Sequence, residues 1–235
     1  MNLKDKVAVI TGASDGIGKQ VALKLAAENV SLALIARNNE RLEEVKSKCL
    51  ELGSPKVEVY VCDISASDQI IENVGKIISD FGSVDILLNI AGVWQKLNLL
   101  ENIDSQDIDN VIDINLKGLI KVTKALVPYL KKETESAIVN ISSRSGIVAN
   151  PNQSVYSASK WGVTGFTEVL KVDLKGTNIR VAEVHQGKTQ TEIFSKTSDS
   201  VDTSNGTKPE DLADVIVFML SRPPQIWLHD VRVEC

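Results

Sequence analysis

The regular alternation of short apolar runs with longer helical patterns is the feature that most constrains the fold of this chain. The apolar runs occupy residues 7–11, 31–36, 56–62, 84–89, 137–141 and 179–184, and a shorter seventh strand is expected at 227–233. Runs of this length are typical of strands buried on both faces, as in parallel sheets. The helical segments between them supply right-handed crossovers. The sequence therefore predicts an α/β fold, a doubly wound parallel sheet of about seven strands with helices on both faces.

This alternation continues along all 235 residues without a linker-like stretch, which predicts a single domain over residues 1–235. The polar segment 194–208 interrupts the pattern, and both a mobile surface loop and a lid over a site remain open for it. A net charge of −5 argues against binding to nucleic acid or to an anionic membrane surface. Apolar runs stay well short of the ~20 residues of a membrane span.

The cysteine and histidine content suggests a reducing compartment and no metal. Cys49, Cys62 and Cys235 are odd in number and have no motif spacing, so a disulfide framework is not expected and a cytoplasmic location is. The amino terminus lacks the apolar region of a signal peptide. His185 and His229 are the only histidines, and neither has a cysteine near it in the sequence, so we expect no metal site.

Three glycines follow the first predicted strand and open the first predicted helix. Gly12, Gly16 and Gly18 occupy the place where a dinucleotide loop lets the backbone approach a pyrophosphate at a helix amino terminus. Their spacing, G-x-x-x-G-x-G, differs from the commoner G-x-G-x-x-G. Glycines that merely form a tight turn are the alternative explanation.

A tyrosine, a lysine and a serine form the second candidate site. Tyr156 and Lys160 are four residues apart on a predicted helix and share one face, and Ser143 follows a predicted strand. A lysine charge about 4 Å away is worth roughly 4 kcal/mol at an effective dielectric constant of about 20, enough to lower the pKa of the phenol by about 3 units. These groups predict a proton-transfer site. An ordinary tyrosine at the edge of the core and a solvated lysine are the alternative.

The combination of motifs, in order along nearly the whole chain, resembles the single-domain branch of the short-chain dehydrogenase/reductase superfamily. This resemblance implies a Rossmann-type sheet and hydride transfer between a nicotinamide cofactor and a small alcohol or carbonyl compound. The motifs are Thr11-Gly12-x-x-x-Gly16-Ile17-Gly18, Asp63, Asn89-Ile90-Ala91-Gly92, Asn115, Ser143, Tyr156-x-x-x-Lys160, and Gly187 with Thr191.

The resemblance also implies a role for each site residue. Tyr156 would be the general acid or base, Lys160 would lower its pKa and hold the nicotinamide ribose, Ser143 would bind the substrate oxygen, and Asn115 would hold a water that links Lys160 to solvent. Ser142 is the less favoured serine. The implied cofactor contacts are Gly12, Ser14, Asp15, Gly16, Ile17, Gly18, Arg37, Asp63, Asn89, Ala91, Gly92, Tyr156, Lys160, Gly187, Thr189 and Thr191.

The chain departs from the family pattern at two loops. Ile90 replaces the usual second asparagine after the fourth strand, and Gln186 replaces the usual proline before Gly187. His185, just before Gln186, would either face the substrate or be a hydrogen-bonded structural residue. The carboxy terminus lacks the glycine-rich ending frequent in 3-oxoacyl-carrier reductases, which favours a small substrate such as a 3-hydroxy acid and leaves a 3-oxoacyl-type reductase as the alternative.

Two other functional classes remain to be separated from an oxidoreductase. A nucleotide-binding regulator that has lost catalysis would not need all four predicted catalytic residues. A sugar-nucleotide epimerase would usually need a larger carboxy-terminal substrate domain. Fold alone does not distinguish the three classes.

The end of the second strand predicts the cofactor. An NAD-preferring site places an acidic side chain there, but this chain has Ala36 followed by Arg37, which could bind a 2′-phosphate. Asp15 would offset part of that attraction, and a solvated arginine is the alternative. We therefore expect a preference for NADP(H), with NAD(H) as the less favoured cofactor.

The helix that carries Tyr156 is expected to serve a subunit interface. It has more apolar residues than one sheet-facing stripe needs, namely Trp161, Val163, Phe166, Val169, Leu170, Val172 and Leu174. Together with the family resemblance, this predicts a homo-oligomer, a tetramer or a dimer. A deeply buried helix in a monomer is the alternative.

Overall fold

Seven strands form one parallel sheet in the order β3-β2-β1-β4-β5-β6-β7 within the described part of the chain. The computed structural model describes residues 1–197, 199 and 201–234, so Ser198, Ser200 and Cys235 lie outside it. The strands are β1 Val7–Thr11, β2 Ser31–Ala36, β3 Val57–Val61, β4 Ile86–Asn89, β5 Ser136–Ile141, β6 Ile179–Gln186 and β7 Asp230–Val233. The predicted doubly wound parallel sheet is confirmed.

Helices cover both faces of the sheet because alternate strand residues point to opposite sides. Ala8 and Ile10 pack with α1, α2 and α7, whereas Val7 and Val9 pack on the other side, where α3, α5 and α6 lie. The helices are α1 Gly16–Ala27, α2 Asn39–Glu51, α3 Ser67–Phe81, α4 Ser105–Ile112, α5 Leu119–Leu130, α6 Ser154–Asp173 and α7 Pro209–Ser221. None of the helices that the structure describes is both long and apolar enough to span a bilayer.

The strand order determines where in the fold the candidate site lies. The chain winds outward from β1 to β3 and then returns to β4 beside β1, so connections leave these two central strands in opposite directions. A crevice opens outside the carboxyl ends of strands at such a switch point, and ligands bind there in open α/β sheets. The glycine loop after β1 and the loop after β4 both end in this crevice.

The helical form of the chain changes around Asn115. A π-helical segment, Asp113–Gly118, joins α4 to α5 and contains Asn115, which is completely buried. Insertions of this kind occur often at functional sites because the wider turn re-aims a side chain.

One sequence-based boundary needs correction. The last strand begins at Asp230 instead of 227, because Trp227 precedes the β6 pairing and packs its ring against Arg180.

Two residues just before the polar segment, Thr189 and Gln190, bind residues near its carboxyl end. Thr189 forms an isolated bridge with Thr207, and the side chain of Gln190 donates to the carbonyl oxygens of Ser204 and Gly206. Near its start, Ile193, Lys196 and Thr197 line the crevice, and a short 3₁₀ turn spans Ser195–Thr197. The segment therefore borders the site, as a lid would.

Candidate active site

The glycine loop brings the backbone of β1 close to the loop after β4. Gly12 has φ +70, and a Cβ added there would lie 2.8 Å from the Cα of Ala91. A Cβ on Gly18 would collide with the carbonyl oxygen of Gly12. Only glycine permits this approach, which leaves backbone exposed at the amino terminus of α1, where phosphate groups bind favourably.

Backbone contacts also explain why the Ile90 departure is tolerated. The hydroxyl of Thr11 accepts hydrogen bonds from the N–H groups of Ile90 and Ala91 at 3.0 and 3.2 Å. The loop is therefore held through main-chain groups and does not require an asparagine side chain at position 90.

Asp15 sits in an ionic cluster at the mouth of the crevice. Its carboxylate caps α1 through the N–H of Gly16 and pairs with Arg41 at 3.0 Å and Lys196 at 2.7 Å. Arg41 also contacts Glu192 at 3.2 Å. Burial opposes ionisation, but Lys196 and the other partners outweigh it and lower the pKa of Asp15. The cluster joins the glycine loop, α2 and the start of the polar segment.

Tyr156 is buried at the start of α6 and meets Ser143, the residue predicted to bind the substrate oxygen. Ser143 hydrogen-bonds the phenol, and its Oγ also accepts from the N–H of Ser145 at 3.1 Å. Ser142 instead points into the interior, where its hydroxyl lies 3.3 Å from the carbonyl oxygen of Lys160 and 3.3 Å from the Thr164 hydroxyl. The contacts favour Ser143 over Ser142.

The pKa of Tyr156 shifts in the direction opposite to that predicted. Burial raises it to about 12, and the hydrogen bond from Ser143 offsets only part of this effect. Lys160 does not supply the expected compensation: its Nζ lies 5.8 Å from the centre of the phenol ring and donates to the carbonyl oxygen of Ile141 at 3.0 Å. Burial also lowers the pKa of Lys160 to about 8, against the opposing field of Glu183. The prediction from the sequence left out desolvation, which is the dominant influence on the pKa of Tyr156 here.

Asn115 completes the group of predicted catalytic residues. Its side chain accepts from the N–H of Val93 at 2.8 Å and donates to the Val93 carbonyl oxygen at 2.9 Å. A Cβ added to Gly92 would lie 3.3 Å from Asn115 Oδ1 and 3.8 Å from Lys160 Nζ. Asn115 and Lys160 therefore border the same small space next to Gly92.

Gln95 is a positioning residue that sequence reasoning missed. Helix α6 has no side-chain cap of its own at Gln153, and instead Gln95 Oε1 accepts from the N–H groups of Val155 and Tyr156 at 3.1 and 3.0 Å. This glutamine is 3% exposed. It lies 60 residues before Val155 in the chain, so no local capping signal could have indicated it.

Aromatic side chains cover the end of the crevice at Tyr156. The ring of Trp94 meets Tyr156 edge-on at 4.5 Å between centroids and Phe194 at 4.9 Å. The indole N–H donates to Asp199 at 2.8 Å. Trp94 thus connects the tyrosine to the polar segment, and its apolar body excludes water from the phenol.

The crevice has a volume of about 750 Å³ and collects most of the predicted residues. Arg37, Asn38 and Arg41 line one end and Trp94 and Tyr156 line the other. The predicted residues along its wall are Gly12, Ser14, Asp15, Gly16, Ile17, Gly18, Arg37, Asp63, Ala91, Gly92, Tyr156, Lys160 and Thr191. Sequence reasoning missed Arg41 and Lys196, because their place at the mouth depends on the packing of α2 and the polar segment.

Three predicted cofactor contacts do not line the crevice. Asn89 is buried and donates to Thr123 and Asn140, each at 2.9 Å, so it joins β4 to its neighbours. The N–H of Gly187 donates to the carbonyl oxygen of Val233, and the Thr189 hydroxyl lies 2.7 Å from Gln186 Oε1. Their contacts are those of supporting residues.

His185 also lies outside the crevice. It is buried beside Glu183, with 3.8 Å between its Nε2 and Glu183 Oε2, and its Nδ1 has no hydrogen-bond partner in the described part of the chain. Gln186, by contrast, does line the crevice. Of these two residues at the end of β6, only Gln186 lines the crevice.

These features define a dinucleotide-binding α/β fold with a Ser-Tyr-Lys group beside the dinucleotide crevice. Comparison with known proteins gives the family: the short chain dehydrogenase model matches residues 6–202. The 3-oxoacyl-[acyl-carrier-protein] reductase FabG of Thermotoga maritima is 38% identical over 229 residues, 94% of this chain and 92% of that protein.

Solved structures agree with this relationship. An alcohol dehydrogenase from Thermococcus sibiricus, complexed with 5-hydroxy-NADP, superposes with a TM-score of 0.91 at 26% identity over 98% of this chain and 97% of that one. An NAD⁺-bound xylitol dehydrogenase superposes with a TM-score of 0.88 at 26% identity, over 100% of this chain and 99% of that one. The chain belongs to the short-chain dehydrogenase/reductase family, and it is an oxidoreductase that uses a nicotinamide cofactor.

Proposed function

We propose that this protein is an NADP(H)-dependent oxidoreductase that reduces a small carbonyl compound, with Ser143, Tyr156 and Lys160 acting at the reacting oxygen. The observation that carries the proposal is that Tyr156 and Lys160, one helical turn apart on α6, both line the crevice, with Ser143 next to the phenol. The glycine loop fits a nicotinamide dinucleotide, because Gly12 and Gly18 allow a close backbone approach that no Cβ would permit and that leaves the amino terminus of α1 open to a pyrophosphate.

Each of the four side chains, Ser143, Tyr156, Lys160 and Asn115, has a stated role in the proposed reduction. When bound, the reduced cofactor supplies a hydride to the carbonyl carbon. Ser143 holds the carbonyl oxygen, and the Tyr156 hydroxyl gives it a proton, so that the products are the alcohol and the oxidised cofactor. Lys160 binds the ribose and, with Asn115, returns a proton to the tyrosine.

The electrostatics of the site support the reductive direction. Since burial raises the pKa of Tyr156 to about 12, its hydroxyl carries a proton at neutral pH. That is the form that a general acid needs, whereas alcohol oxidation needs the phenolate.

Replacing Tyr156 by phenylalanine tests the assignment. Tyr156→Phe removes the proton donor but keeps the ring that packs on Trp94, so we expect turnover to fall by about 10²–10⁴-fold and cofactor binding to stay within about twofold. Tyr60→Phe is a matched control, because the Tyr60 hydroxyl bonds Asp80 away from the crevice. Turnover by Tyr156→Phe above a tenth of wild type would refute the role. A regulator without catalysis would show no turnover in either form.

The preference for NADP(H) rests on the end of the crevice formed after β2. Arg37 and Arg41 line this end, and no acidic residue occupies position 36. Asp15, which could repel a 2′-phosphate, is paired with Arg41 and Lys196, so its charge is already compensated. An Arg37–phosphate contact is worth roughly 1.5–3 kcal/mol, which corresponds to about 10–150-fold in affinity.

Dissociation constants for NADPH and NADH, in wild type and Arg37→Ala, test this preference. We expect wild type to favour NADPH by at least about tenfold and the variant to lose most of that ratio. Arg144→Ala is the matched control, because this arginine also follows a strand but contacts Asn150 and Glu234 outside the crevice. Equal affinities in wild type, or an unchanged ratio in Arg37→Ala, would contradict the proposal.

Two substrate classes compete for the covered end of the crevice. The carboxy terminus favours a free 3-oxo or 3-hydroxy acid, whereas the relationship to a 3-oxoacyl-[acyl-carrier-protein] reductase supports a thioester. Parallel assays with acetoacetate and its coenzyme A thioester separate them. The class with the larger kcat/KM would be the substrate type. Activity on neither compound would restrict the enzyme to simple ketones and aldehydes.

We also propose that α6 forms a subunit interface. Trp161, Val169 and Val172 on this helix are 51%, 60% and 71% exposed in the single chain, and their spacing puts them near one face. A second copy covering this face would give a dimer, and a further interface a tetramer.

Sedimentation of Val172→Asp tests the interface. We expect wild type to sediment as a dimer or larger and Val172→Asp to shift towards monomer at micromolar concentration. Ile71→Asp is the control, since Ile71 is 68% exposed on α3. A monomeric wild type would refute the interface.

We infer a cytoplasmic location from the thiols. Cys49 and Cys62 are both free and buried, and burial raises the pKa of each thiol. Unpaired cysteines are ordinary in a reducing compartment.

A further inference from the structure

Three ligand-type side chains that are far apart in the sequence meet at the edge of the sheet, outside the crevice. They are Glu183 and His185 on β6 and Asp230 on β7, and one ligand atom from each lies within 4.8 Å of the others. Parallel pairing of β6 with β7 sets Asp230 directly opposite Glu183. His185 is two residues beyond Glu183, so all three side chains lie on the same face of the sheet.

Two of these side chains are buried without adequate partners. Glu183 is 0% exposed, and its Oε2 has no hydrogen-bond partner in the described part of the chain. His185 is 4% exposed; its Nδ1 also lacks a hydrogen-bond partner among those residues, while its Nε2 faces Glu183. Buried polar atoms of this kind are costly, because they have lost water without a hydrogen bond in exchange.

The spacing suits a shared ion better than a hydrogen bond. Glu183 Oε2 and His185 Nε2 are 3.8 Å apart, too far for a hydrogen bond. Two ligands of one tetrahedral zinc ion, with bonds of about 2.0–2.2 Å, lie roughly 3.3–3.6 Å apart. A few tenths of an ångström of side-chain movement would therefore bring both atoms to one ion.

The surrounding charges leave room for a cation. Lys171 on α6 contacts Asp230 and Glu168, each at 2.7 Å, so this one ammonium is shared by two carboxylates. Glu183 adds a third carboxylate, and Lys160 contributes a more remote positive field. Arg232, opposite His185 in the strand register, is exposed. Lys171 can keep Glu168 as its partner if Asp230 binds an ion.

We propose that Glu183, His185 and Asp230 form a binding site for a divalent transition-metal ion of the zinc class. An imidazole with two carboxylates is a donor set suited to Zn²⁺, and the exposed Asp230 provides the path of entry. The site lies apart from the reacting groups but is connected to them. Glu183 Oε1 is 2.8 Å from the Thr164 hydroxyl, which is 3.1 Å from the carbonyl oxygen of Lys160. The ion would hold β6 and β7 together and, through Glu183 and Thr164, link them to α6.

Calorimetric titration of ZnCl₂ into chelator-treated, cofactor-free protein tests the site directly. We expect one ion per chain with a dissociation constant of about 10 µM or tighter. Glu183→Gln, His185→Gln and Asp230→Asn should each weaken binding by at least about tenfold. Zinc at a hundredfold excess over its dissociation constant should raise the melting temperature by about 5–10 °C.

His229→Gln is the matched control, because this exposed histidine adjoins Asp230 in the chain but is not part of the cluster. Asp230→Asn keeps the test valid if the two variants of buried residues fail to fold. Its side chain is on the surface, and circular dichroism can verify that this variant is folded. Zinc binding to the wild type weaker than about 1 mM, wild-type affinity in all three ligand variants, or loss of binding in His229→Gln would overturn the proposal. Binding of Mg²⁺ in preference to Zn²⁺ would overturn the assigned class of ion. None of these results depends on turnover, so they are independent of the proposed oxidoreductase reaction.

Discussion

Replacing Lys160 should make the cofactor-free protein more stable while it abolishes activity. Burial lowers the pKa of this lysine from 10.5 to about 8, so the folded chain carries an unfavourable ammonium at neutral pH. One pK unit equals 1.36 kcal/mol, and keeping the charge buried therefore costs about 3 kcal/mol. Lys160→Met removes that cost but leaves the carbonyl oxygen of Ile141 without its donor, a loss of about 1–2 kcal/mol. The net gain expected at pH 7 is about 1–2 kcal/mol.

The pH dependence of the gain identifies its cause. Between pH 8 and pH 10.5 the unfolded chain binds a proton at this lysine that the folded chain has released, so wild-type stability rises with pH in that window. Below pH 8 both states are protonated and the full cost remains. The advantage of Lys160→Met should therefore be complete at pH 7 and gone or slightly reversed by pH 10, where only about 1 kcal/mol of the burial cost remains against the lost hydrogen bond.

Thermal unfolding of both proteins without cofactor, from pH 6.5 to 10, measures this effect. For a chain of this size we expect a rise in melting temperature of about 3–6 °C at pH 7. Lys121→Met is the control: Lys121 also donates to a carbonyl oxygen, that of Ser65 at 3.1 Å, but it is only partly buried and should give no gain. A Lys160→Met protein that is less stable at pH 7, or equally favoured at both ends of the range, would refute the reasoning.

Three further outcomes follow from single contacts. Gln95→Leu leaves two N–H groups of α6 unpaired. Turnover assays should therefore show kcat lowered by about tenfold or more, and thermal unfolding should show a lower melting temperature. Gly12→Ala forces a Cβ against Ala91 at a positive φ, so a fluorescence titration should find cofactor binding nearly lost with the fold retained. Because partners lower the pKa of Asp15, its ion pairs stabilise the fold above the ordinary pKa near 3.9 and are lost at lower pH. Asp15→Asn should therefore reduce the melting temperature at pH 7, less so in 0.5 M salt.

The sequence by itself determined the layout of the fold and the core of the site. Strand runs depend on local periodicity, so six strands were predicted within a few residues. The glycine loop, Tyr156 and Lys160 follow from short-range spacing, because a turn or a single helical face fixes which residues are neighbours.

Tertiary structure decided the properties that depend on burial and on distant neighbours. The pKa of Tyr156 moved opposite to its predicted direction because desolvation is set by the packing around the ring, and only Ser143 offsets part of it. Gln95 reaches Tyr156 only once the loop after β4 lies against α6. Likewise, no spacing in the sequence relates Glu183 to Asp230, 47 residues later. The pairing of β6 with β7 sets them opposite each other, because strand register joins residues that the chain itself keeps far apart.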